Sequence, residues 1–282
     1  MPAGTATILF GLGAALAWGA GDFGGGLASR RAPVFGVVLL SQLVGMAMTL
    51  TIALARAEPF PAGTDLLLCL AAGVLGGTGI TALYRGLSVG RMGIVAPITG
   101  VLAAIIPVTG GIALQGWPNG LVVLGIVVAV VAVVLVSRVA DEGGGRAGLA
   151  EALVAGTTIG LFGIVISQIG EGFVFSSLTV IRGVQAMLVV IVVVLSRSAW
   201  RIPRGTLPLV IGVGVLDMTG NAAYLLGVQS GALAIAAVLS SLYPVTTVIL
   251  AALLLHERVT RHHAVGIALA ATAIALIGFG SA

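Results

Sequence analysis

No lysine occurs anywhere in this chain; all 13 basic residues are arginine. That absence excludes the phosphate-cradling loop Gly-x-x-x-x-Gly-Lys-Ser/Thr, and with it ATP drive of that kind within the chain. A single cysteine, Cys69, excludes an internal disulfide framework and a thiolate metal site, each of which needs at least two sulfurs. Charged residues make up 8% and aromatics 5%, whereas soluble domains carry about a quarter charged residues. No soluble domain fits anywhere. What is present is 59% hydrophobic residues, a mean hydropathy of +1.22, and 43 glycines, small enough to let apolar helices approach closely.

Crossing the hydrocarbon core takes about 20 apolar residues in a helix, and runs of that length recur along almost the whole sequence. Polar breaks at Arg30-Arg31, 56–65, 88–91, 116–119, 138–146, Glu171-Gly172, 197–204, 229–231 and 256–261 divide it into ten apolar segments. The expected fold is therefore an all-α polytopic membrane protein with spans near 5–29, 34–55, 65–87, 91–114, 119–137, 148–170, 173–196, 206–228, 231–255 and 261–280. Barrel strands are excluded, because they would show about 10 residues of strict alternation. The N-terminus lacks a basic leader and its apolar run is too long for a signal peptide, so it reads as a retained first span. The chain's surplus of arginine reports membrane orientation, and no nucleic-acid partner is expected.

The one linker, Asp141 to Arg146, lies at the midpoint. A shift of 141 residues superposes Thr78, Gly79, Ala82, Gly86 and Gly90 on Thr219, Gly220, Ala223, Gly227 and Gly231 without a gap. Two five-helix halves follow, 1–140 and 148–282, joined by 141–147. Five is odd, so the second copy must enter the membrane in the opposite sense. Arginine distribution agrees with that requirement: Arg30 and Arg31 follow span 1, but only Glu171 follows span 6; Arg56 follows span 2, but Arg197, Arg201 and Arg204 follow span 7. Eleven arginines fall on one face, Arg56 alone on the other, and Arg182 within a span. By the positive-inside rule the arginine-rich face is cytoplasmic, which puts both termini on the opposite side of an inner (plasma) membrane.

The run LSSLYPVTTVILAALLLHERVTRHHAVGIALAATAIALIG, Leu239 to Gly278, resembles the closing segment of EamA-type members of the drug/metabolite transporter superfamily through Pro244, Glu257, Arg258, Thr260 and Gly266. Trp18-Gly19 followed by Phe23 resembles that family's first-helix signature, and Arg182 matches an arginine often seen in the second helix of a half. The second half departs from the first, which has Gly116 opposite Glu257, and Asp22 stands where asparagine is common. The resemblance implies a ten-helix secondary carrier, mostly an exporter of amino acids, metabolites or drugs, without a cofactor. For Glu257 it suggests a gate or a hairpin-stabilising role, beside the plainer reading of a surface ion pair with Arg258 or Arg261. His256-Glu257-Arg258-Val259-Thr260 is not a zinc motif, since Thr260 stands at the second histidine's place.

Ionisable residues inside spans cost at least about 2.5 kcal/mol, so they are candidate functional residues. Asp217, Asn221 and Tyr224 recur at i, i+4 and i+7 and share one helical stripe. That stripe either lines a cavity or forms a structural hydrogen-bond ladder. Asp22 lies one turn after Trp18; it either titrates in the cavity or sits hydrated and paired with Arg30 or Arg31. Arg182, with Gln185 at i+3, needs an anionic partner, either Asp217 or a substrate carboxylate. Tyr243 and Pro244 interrupt span 9, and Pro97 and Pro107 interrupt span 4, where freed carbonyls can face a cavity.

These residues predict a carrier that moves a small molecule across the lipid bilayer, outward, by alternating access between the halves, as a monomer or homodimer. Asp217 or Asp22 gives up a proton when substrate displaces it; Arg182 steers an anionic group; Trp18, Tyr224 and Tyr243 supply aromatic walls. The rival is an uncoupled facilitator of the same fold. An intramembrane enzyme has no clustered nucleophile and base to support it.

Overall fold

The computed structural model describes residues 3–29, 31–89, 92–136, 148–254 and 261–281. Among them the chain is helical throughout: α1 (Ala3–Ser29), α2 (Val34–Ala55), α3 (Gly63–Val89), α4 (Met92–Gln115), α5 (Gly120–Val136), α6 (Leu149–Ile166), α7 (Val174–Ser196), α8 (Leu207–Gln229), α9 (Leu233–Ser240), α10 (Tyr243–Leu254) and α11 (Arg261–Ser281), with one 3-10 turn at Arg204–Thr206. The cause is backbone chemistry, since only a helix satisfies every N–H and C=O within its own segment when water is absent. Eight stretches are long and apolar enough to cross a membrane, α9 and α10 counting together as one, and two shorter apolar helices lie at Gly120–Leu135 and Ala264–Ile277.

Of the two expectations about proline, the one for span 9 holds and the one for span 4 needs correction. Span 9 is two helices, separated at Ser241-Leu242 immediately before Tyr243 and Pro244. Span 4 is not interrupted, because α4 runs as one helix through Pro97 and Pro107. A helix that is packed on several sides can absorb the one backbone hydrogen bond each proline removes.

Many small residues face inward, and the outer surface carries large apolar side chains. Ala14, Ala129, Ala132, Ala155, Ala236 and Ala273 have no exposed surface, while Leu16, Leu67, Val194, Leu195 and Leu253 lie largely exposed where lipid would cover them. Close approach decides the pairing: Gly156 and Gly160 of α6 lie directly against Leu102 and Ile106 of α4. The closest partnerships are α1 with α8, α5 with α11, α6 with α3 and α4, and α7 with α2 and α3. Each therefore joins one half of the chain to the other.

At one end of the bundle the connections are stitched by polar contacts between the halves. Glu58 Oε2 accepts from the backbone N–H groups of Phe175 and Ser176 at 2.9 and 3.2 Å, capping α7 from outside it. Asp65 Oδ1 accepts from Gly170 N–H at 2.9 Å and Leu233 N–H donates to Gln115 Oε1 at 2.8 Å, while within the second half Gln229 donates to Gly170 O at 3.1 Å. Arg56 pairs with Glu58 at 3.1 Å and lies over the Phe175 ring.

Candidate functional site

Between the halves lies a cavity with about 1170 Å³ of atom-free space, its open mouth included. Its walls come from α1 to α4 and α6 to α10, whereas α5 and α11 contribute nothing and pack on each other. The 141-residue shift relates many wall positions in pairs: Trp18 to Ile159, Gly21 to Phe162, Asp22 to Gly163, Ser41 to Arg182, Gly76 to Asp217, Ile80 to Asn221 and Leu83 to Tyr224. Backbone positions are thus duplicated but the chemistry is not. Each charge faces a small or hydroxyl residue in the other copy.

All eight residues singled out in the spans, Trp18, Asp22, Arg182, Gln185, Asp217, Asn221, Tyr224 and Tyr243, line this cavity. Arg182 is almost completely buried and its partner is Asp217, with Nη2 and Oδ2 2.6 Å apart. Its Nη1 donates to Gln185 Oε1 at 3.0 Å and to Gln42 Oε1 of α2. A buried guanidinium is tolerated because an ion pair and side-chain acceptors surround it. The stripe on α8 works as one unit: Asn221 Nδ2 donates to Asp217 O at 2.8 Å and lies 3.4 Å from Asp217 Oδ1, and Tyr224 donates to Gly163 O at 3.3 Å.

Asp22 lines the cavity and is not paired with Arg31; Arg30 lies outside the described residues. Asp22 is exposed to the cavity, makes no hydrogen bond or ion pair among the described residues, and lines the same cavity as Asp217. Trp18 and Tyr224 form a tilted ring pair 5.7 Å between centroids, the indole resting against Gly220. Pro107 has no N–H to offer Ala103 O, and both residues line the wall.

Gln42 was not singled out from the sequence, although the same rule that marks Arg182 applies to it: a polar side chain in an apolar span. Ser240 and Ser241 gave no signal of their own, because serine is common in membrane helices; they line the cavity only because α9 ends there. Glu257, Arg258 and Thr260 lie outside the described residues. Gly266 is buried in α11, away from the cavity.

The pattern of the EamA-like transporter family matches residues 5–138 and again 146–279. The chain belongs to that family. Both copies of the EamA-like pattern start and stop 141 residues apart, the same shift that aligns the glycines. No curated protein matches the chain. A solved protein described only as "Crystal structure of protein" shares the fold of this EamA-like chain, with 16% identity, 96% of each chain covered and a TM-score of 0.81. Members of the EamA-like family are membrane transporters rather than enzymes, which makes the lipid bilayer and a small-molecule substrate the partners of this chain.

Proposed function

We propose that this protein is a secondary carrier that exports a small metabolite, an amino acid or drug-like compound, across the inner membrane by alternating access. In this reading ten spans form two five-helix halves, 1–140 and 148–282, inserted upside down relative to each other and joined by 141–147. The polar stitching supports the inversion, because the α2–α3 connection meets the α6–α7 connection, although the latter corresponds in the repeat to α1–α2. The distribution of arginines supports a cytoplasmic assignment for the opposite end, with both termini outside. The described residues that line the cavity belong to one copy, which supports a monomer as the working unit, with a homodimer serving other ends.

The observation that carries the reading is a cavity between the halves holding, among the described residues, one paired carboxylate, Asp217, and one unpaired carboxylate, Asp22. Asp22 is the better proton carrier of the two, since releasing or taking a proton there breaks no ion pair. Asp217 couples to it across the shared cavity and through its competition for Arg182. Purified protein in liposomes with an imposed pH gradient tests this: a metabolite screen should find a substrate whose flux follows the gradient, and both Asp22→Asn and Asp217→Asn should uncouple it. Proton-linked flux that is unchanged in both variants rejects the coupling.

The fixed Arg182–Asp217 pair favours one second reading, an uncoupled facilitator in which the carboxylates only shape the path. Substrate counterflow without any proton movement would establish that reading instead.

A further inference from the structure

The sequence suggests that Arg182 receives an anionic group of the substrate, but the structure leaves it little capacity to do so. It is the one cation among the described residues lining the cavity, and its side chain is only 5% exposed. One terminal nitrogen is held by Asp217 and the other by Gln42 and Gln185. An entering carboxylate would have to displace Asp217 and leave that acid without its partner, beside a second acid.

We propose instead that the cavity recognises substrates carrying a positively charged amine next to a flat apolar body, with Asp22 as the counter-ion, and disfavours anions. The proposal rests on the carrier reading and specifies its substrate class. Charge is the first support. Among the described residues, the charged and titratable groups facing Asp22 across the cavity are Asp217 and Tyr224 from α8, Arg182 from α7 and Tyr243 from α10. With both acids ionised, two negative charges meet one positive charge, and the surplus sits on the unpaired side chain.

Hydrogen-bonding capacity points the same way. Ser41, Ser240 and Ser241 each spend their hydroxyl proton on a carbonyl of their own helix, Val38 O at 2.8 Å, Ala237 O at 3.0 Å and Val238 O at 2.7 Å. What they have left for the cavity is lone pairs. An ammonium is a donor with no acceptor, so it suits lone pairs and a free carboxylate. The remaining donors, the Trp18 indole N–H, the Tyr243 hydroxyl and the amide groups of Gln42, Gln185 and Asn221, can orient polar atoms without supplying a positive charge. Trp18 and Tyr243 add ring faces, which attract a cation and stack on a flat neighbour, while the buried Tyr224 ring backs Trp18.

The chain has three tryptophans, and the two other than Trp18 are exposed away from the cavity at Trp117 and Trp200. Replacing both with phenylalanine leaves Trp18 as an internal reporter. Phenethylamine, phenethyl alcohol and 3-phenylpropanoate, together with their biphenyl counterparts, share a body and differ in charge. Titrated into the purified protein at neutral pH, the amines should quench Trp18 at concentrations roughly tenfold or more below those of the alcohols, with the carboxylates weakest. Asp22→Asn should remove the gap between amine and alcohol, and Asp22→Glu should keep it, which separates lost charge from lost fold. A carboxylate that binds as well as the amine overturns the proposal. So does a gap that survives Asp22→Asn, or an absence of quenching by every amine. In vesicles, an amine that binds without being moved would defeat the carrier reading and leave charge selection standing, whereas transport of an anion would do the reverse.

Discussion

Substituting Asp217 with asparagine removes a charge and almost no volume, so its cost measures the ion pair. Removing one partner of a fully buried pair costs about 3–5 kcal/mol, because the other charge is left uncompensated. Here Arg182 is 5% exposed and Asp217 33%. Cavity water can reach the vacated place, and Gln42 and Gln185 still hold one terminal nitrogen, so the expected loss is nearer the lower end, roughly 2–3 kcal/mol. Arg182→Met alone should cost less, since the acid left behind is the better hydrated partner. The double variant Arg182→Met, Asp217→Leu should recover most of the stability, as apolar replacements of whole buried pairs commonly do. The coupling between the two positions should then be about 2 kcal/mol. The protein carries its own probe: Cys69 is its single thiol and has no exposed surface. A thiol-reactive fluorophore in detergent reports unfolding as that side chain becomes accessible. An Asp217→Asn protein within about 0.5 kcal/mol of the parent, with no coupling to Arg182, would refute the role given to the pair.

Four other outcomes follow from packing, from the polar end of the bundle and from the cavity. A Cβ at Gly214 would meet Ser41 O at 2.8 Å and Val44 Cβ at 2.9 Å, backbone and a branched stem that cannot swing aside; Gly214→Ala should cost roughly 1–3 kcal/mol. Nothing lies within 4 Å of a Cβ at Gly212, so Gly212→Ala should be neutral or stabilise α8 by up to about 1 kcal/mol in the same thiol assay. Glu58→Ala removes the acceptor for Phe175 and Ser176 N–H and should cost about 1–3 kcal/mol, with faster labelling of Cys69 under native conditions as the stitched end loosens. Asp22→Asn should leave the unfolding temperature nearly unchanged, because that carboxylate makes no ion pair among the described residues; a large fall would mean it has a structural partner.

Much of this arrangement was legible in the residues. The spans are written in apolar runs, since a bilayer demands about 20 such residues and tolerates few charges, and the duplication is written in glycines that keep their spacing across 141 residues. Asp22, Arg182 and Asp217 stand out because charge inside a span is costly. Proline was a poorer guide. Pro107 lies within a continuous α4, while the chain breaks at Ser241-Leu242 just before Pro244, and a proline's effect depends on what surrounds the freed carbonyl. Gln42 escaped notice although its polarity was visible, because only a neighbour from α7 gives it a task.

By itself, the sequence determined that the chain is helical, lives in a bilayer, consists of two copies, and keeps three charges inside it, for these are properties of single segments and their solvent. Only the tertiary structure decided which charge answers which. Arg182 could equally have met a substrate carboxylate until the packing of α7 beside α8 and α2 brought Asp217 and Gln42 to it and left Asp22 without an ion pair among the described residues. Periodicity says which face of a helix a residue occupies, but not which helix lies opposite; that depends on small residues letting backbones approach.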